Sequence, residues 1–66
     1  MDNREEKFER MLADTLKQYH EIIQKMDELK SEGKVKTVTY KQLMTEKLKC
    51  QSILAIYKAY GLIEEY

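Results

Sequence analysis

Apolar residues recur at alternating steps of three and four along the first half of this chain. Leu12, Thr15, Tyr19, Ile22, Met26 and Leu29 occupy the two seam positions of a heptad. Leu16 and Ile23 widen the seam on one flank, and Phe8 extends it toward the N-terminus. No Gly or Pro interrupts residues 4–31, so the pattern predicts one long amphipathic helix there. A seam this wide suits a bundle core better than the narrow contact of a two-stranded coiled coil. Asp2, Glu5 and Glu6 put negative charge where a helix begins, and Lys25 and Lys30 put positive charge toward its end.

The pattern breaks at Ser31-Glu32-Gly33-Lys34, where Gly33 is free to take the left-handed conformation that ends helices. Val35 to Val38 alternates apolar and polar, which predicts a short extended stretch. Thr39 with Gln42 has the spacing of a capping box, and Val38 with Leu43 that of a hydrophobic staple, so a second helix is expected from Tyr40. Gly61 predicts its stop, with Leu62 folding back on Tyr57 and the remainder packed as a short tail. The expected layout is a single domain over 1–66: helix about 4–31, loop about 32–39, helix about 40–60 and tail 61–66.

The second helix is apolar on more than one side. At about 100° per residue, Leu43, Met44, Leu48, Leu54 and Ala55 share a face centred on Gln51, which is expected to meet the first helix. A second stripe runs through Cys50, Ile53, Tyr57 and Tyr60, with Ile56 beside it. A helix with one neighbour needs one apolar face, so this second stripe is expected to meet another chain. The expectation is an all-α, antiparallel two-helix hairpin assembling into a homo-oligomer that resembles a four-helix bundle. The competing arrangement folds Val35, Leu62, Ile63 and Tyr66 back over the stripe within one chain.

Size strengthens the assembly reading. A chain of 66 residues is at the lower limit of what a hydrophobic core alone stabilises. One Cys cannot form an internal disulfide, and one Cys with one His cannot complete a structural zinc site, so no metal or cofactor is expected. Twelve basic residues balance twelve acidic ones, yet the balance is uneven. Residues 1–33 hold six basic and nine acidic side chains, net −3, and residues 34–66 hold six basic and three acidic, net +3. Antiparallel packing sets these halves side by side, which favours pairing and register.

Candidate chemistry is sparse. His20 opens a His-Glu-Ile-Ile-Gln string that lacks the second imidazole of a zinc-protease signature, and it lies just off the seam, so it reads as exposed. Cys50 reads as a buried, inert thiol in the outer stripe rather than a nucleophile. Lys47 and Gln51 fall within the face expected to pack inward. The structural reading has Lys47 snorkel and Gln51 set register; the functional one has them line a ligand pocket. Lys34, Lys36, Lys41 and Lys49 belong to a basic run that could contact phosphates in a helix-turn-helix-like binder. That would need a turn at Lys49-Cys50-Gln51-Ser52, which has no Gly.

The first residues are acidic and polar, without the apolar segment of a secretory signal, and the longest apolar-rich stretch, residues 53–60, is far too short to span a bilayer. With its unpaired thiol, the chain is expected in the cytoplasm, away from membranes. The leading functional expectation is a non-enzymatic interaction module or small regulator. Cys50, Ile53, Ile56, Tyr57 and Tyr60 would form its interface with a second copy or with another protein. The alternative is a nucleic-acid-binding regulator using Lys34, Lys36, Lys41 and Lys49.

Overall fold

In the computed structural model, which describes residues 3–64, two helices run antiparallel and pack along their length. Helix α1 spans Arg4–Ser31 and helix α2 spans Val38–Ala59. Among the described residues there is no strand. The buried core is one row per helix: Tyr19, Ile22 and Met26 from α1 against Cys50, Leu54 and Tyr57 from α2. Phe8, Leu12, Leu16, Ile23, Tyr40, Leu43 and Ile63 pack around it, half buried. The α1 seam lies where its spacing predicts, with Glu5 and Glu6 in its first turn and Lys30 in its last. Asp2 and Tyr66, assigned roles at the two ends from the sequence, lie outside the described residues.

Both helix stops are the expected glycine turns. After α1, Gly33 has φ +73°, its N–H donates to Lys30 O at 3.0 Å and Lys34 N–H donates to Leu29 O at 2.8 Å. After α2, Gly61 has φ +73°, its N–H donates to Lys58 O at 2.9 Å and Leu62 N–H donates to Tyr57 O at 2.9 Å. Each pair is the double hydrogen bond of a Schellman motif, satisfying carbonyls left open by the last turn.

The start of α2 differs from the sequence expectation. The cap is Thr37, two residues before Thr39, and its Oγ1 accepts from Tyr40 N–H at 3.2 Å. The same hydroxyl donates to Lys34 O at 2.8 Å, tying the cap to the turn that ends α1. Residues 35 and 36 are therefore turn rather than extended, Thr37 alone keeps the extended backbone of a cap, and Val38 is already helical and exposed. Thr37 and Thr39 are equally competent locally; only Thr37 lies within reach of the Lys34 carbonyl once the Gly33 turn has formed.

The inward face of α2 also differs. Of the five residues expected there, Leu43 and Leu54 pack inward, whereas Met44, Leu48 and Ala55 are exposed. The observed seam is Tyr40, Leu43, Lys47, Cys50, Leu54 and Tyr57, stepping by three and four as α1 does. This rotates α2 by roughly 70° from the expected orientation. The rotation brings the Phe8 and Tyr57 rings together, centroids 5.3 Å apart at 83°, an edge-to-face contact of the favourable kind.

Candidate interaction surface and the cleft beside Cys50

Rotating α2 divides the five residues predicted to form one outer stripe. Cys50 and Tyr57 are 5% and 7% exposed inside a single hairpin, so both belong to its own core. Ile53, Ile56 and Tyr60 remain on the outside, 43%, 57% and 78% exposed. The described residues of the fold-back arrangement do not hide them. Ile63 packs on the end of the core, while Val35 and Leu62 are themselves exposed. The spacing of Tyr57 from Ile53 and Tyr60 places it equally well in the outer stripe. The seam step from Cys50 through Leu54 to Tyr57 was the signal for its true place, and Lys47 in that seam obscured it.

A cleft of about 320 Å³ opens on one side of the hairpin, lined by Thr15 and Gln18 from α1 and by Glu46, Lys49, Cys50 and Ile53 from α2. Burial and, secondarily, the Glu46 carboxylate push the Cys50 thiol above its ordinary value of 9.0. Both effects disfavour the thiolate, so the sulfur stays protonated at neutral pH and is a poor nucleophile. His20 is exposed, tilted against the Tyr19 ring at 5.8 Å, and does not line this cleft. Glu46 and Lys49 give the cleft opposite charges one turn apart on one helix.

Lys47 and Gln51 are half buried and lie outside the lining of this cleft. Gln51 Nε2 donates to Tyr19 Oη at 3.2 Å, a cross-helix bond between two partly buried side chains. That bond needs one relative height of the two helices, which is how a polar residue sets register. Among the predicted phosphate contacts, Lys34 is paired with Glu32 at 2.9 Å in the loop, both side chains well exposed. Lys36, Lys41 and Lys49 are exposed, the first in the loop and the other two on α2. Helix α2 is continuous through Lys49-Cys50-Gln51-Ser52, where a helix-turn-helix would break. Among the described residues, no three His, Cys, Asp or Glu side chains converge as a metal site would require. Neither helix is long and apolar enough to cross a membrane.

Comparison of the chain with protein-family models, with curated proteins and with solved structures finds no significant match.

Proposed function

We propose that this chain is a non-enzymatic, cytoplasmic interaction module that works as a helical homo-oligomer and presents the Ile53, Ile56 and Tyr60 row to another protein. One observation carries the reading: closing the hairpin leaves α2 with large apolar side chains on faces that nothing among the described residues covers. Exposed apolar residues scattered singly are ordinary, but rows along one helix mark interaction surfaces. Tyr60 supports a partner-binding role because its ring tolerates both apolar contact and water.

Light scattering on a sizing column tests the assembly. The expected result is a species of at least twice the 7.9 kDa chain mass at high micromolar concentration. A strict monomer there would refute the oligomeric part of the reading. The nucleic-acid alternative keeps only a dispersed set of lysines, one already paired, since the continuous α2 offers no separate recognition helix. Salt-sensitive binding to random duplex DNA would revive it.

A further inference from the structure

The hairpin is one helix thick. It measures 50 × 22 × 16 Å, and its radius of gyration of 14.4 Å compares with about 11 Å for a globular chain of this length. Its accessible surface of 5547 Å² compares with about 4,400 Å² for a folded monomer of 7.9 kDa. The excess is about 1,100 Å², and one broad side of a 50 × 22 Å slab has a projected area of about 1,100 Å², against the ~800 Å² per partner of a standard interface. Stable domains bury such a layer against a second one.

The two broad sides are chemically different. On one lies the cleft, where Gln18, Glu46 and Lys49 set polar and charged groups beside Thr15, Cys50 and Ile53. On the other, helical spacing sets Leu12, Leu16 and Ile23 of α1 beside Met44, Leu48 and Ala55 of α2. Leu12, Leu16 and Ile23 are half buried, whereas Met44 and Leu48 are 44% and 57% exposed. Lys47 and Gln51 lie in the middle of this side, both half buried, the latter bonded to Tyr19, and the same spacing puts the exposed Glu5, Lys30, Lys41 and Lys58 toward its two ends.

We infer that this second side is the self-assembly face and that its occupant is a second copy of the chain, giving a four-helix bundle. Adding a second layer at about 10 Å interaxial spacing makes the cross-section roughly 22 × 26 Å, nearly square, as a four-helix bundle is. Charge sets the order of the helices. Helix α2 carries four basic residues and one acidic, and α1 six basic and seven acidic, so the partner's α1 lies over α2 and keeps the two basic helices diagonal. Ile53, Ile56 and Tyr60 stay outside this contact, free for a different protein. The inference rests on the oligomeric reading and adds which face serves it.

Met11 and Met44 provide an internal comparison, because they are 50% and 44% exposed in one hairpin and only Met44 lies on the proposed face. Wild-type protein is pulsed with hydrogen peroxide at a concentration where light scattering shows the dimer, and sulfoxide at each methionine is quantified by peptide mass spectrometry. Met44 is expected to oxidise several-fold more slowly than Met11, and dilution below the dissociation range should bring the two rates together. Leu48→Asp should be monomeric at that concentration, and Ile53→Asp should remain dimeric. Equal methionine rates in a confirmed dimer overturn the choice of face while leaving the assembly reading intact. A wild type monomeric at every concentration defeats the reading on which the inference rests.

Discussion

Leu54 is the most deeply placed side chain of the hairpin, with no exposed surface. In a core of six buried residues its removal leaves a cavity that two helices cannot easily close. Leu54→Ala is expected to destabilise by about 2–5 kcal/mol, measured by denaturant unfolding at fixed protein concentration. The Gln51–Tyr19 bond is a smaller contributor. Tyr19→Phe removes the acceptor and should cost about 0.5–1.5 kcal/mol with the helical content unchanged. Cys50 makes a pH-dependent statement. Its folded value is raised, so its contribution is fully present below the ordinary value of 9.0 and is lost as pH rises toward the folded value. Between 9.0 and the folded value the unfolded thiol is ionised and the folded one is not, so stability falls with pH there and the loss is complete above it. Unfolding curves from pH 7 to 11 should therefore show wild type losing stability relative to Cys50→Ala as the pH rises above 9.0. A difference independent of pH would contradict the raised value.

At the scale of elements, the turn between the helices decides where α1 ends and where α2 begins. Thr37 both caps α2 and bonds back to Lys34 O, so Thr37→Ala should cost about 0.5–2 kcal/mol in thermal unfolding. Thr39, already inside the helix and exposed, is the matched control, and Thr39→Ala should be neutral or slightly stabilising because Ala is the better helix former. The reverse ranking would place the cap where the Thr39–Gln42 spacing suggested. Gly61 makes a parallel case. Nothing lies within 4 Å of a Cβ there, so the penalty of Gly61→Ala is purely the left-handed backbone at φ +73°, about 1–2 kcal/mol. The Lys34–Glu32 pair in the loop is exposed, and as with most such pairs its loss should cost about 0–1 kcal/mol.

For the whole molecule, the dominant fact is a single layer of helices with one side's worth of surplus surface. If a second copy covers that layer, folding and association share one equilibrium, and the melting temperature depends on protein concentration. Thermal unfolding by circular dichroism over a hundredfold dilution series should show the midpoint falling as the protein is diluted. A constant midpoint would mean that one hairpin carries its own stability.

How much of this was legible in the residues follows from how local each signal is. The α1 seam and both glycine stops were written in the chain because each depends only on neighbours within a few residues: a three-four step, or a residue free to adopt positive φ. The orientation of α2 was not. Apolar side chains surround that helix, so periodicity names no inward direction, and Lys47 interrupts the one seam that matches α1. Contact with α1 made the choice, burying Cys50, Leu54 and Tyr57 and leaving Met44, Leu48, Ile53, Ile56 and Tyr60 outside. The start of α2 likewise waited on the Gly33 turn, which put one of two equivalent threonines beside a carbonyl. The amino-acid sequence by itself determined two helices and where they stop, because those are local free energies. Only the tertiary structure decided which apolar residues the hairpin consumes and which it leaves over, because that depends on the rotation one helix adopts against the other.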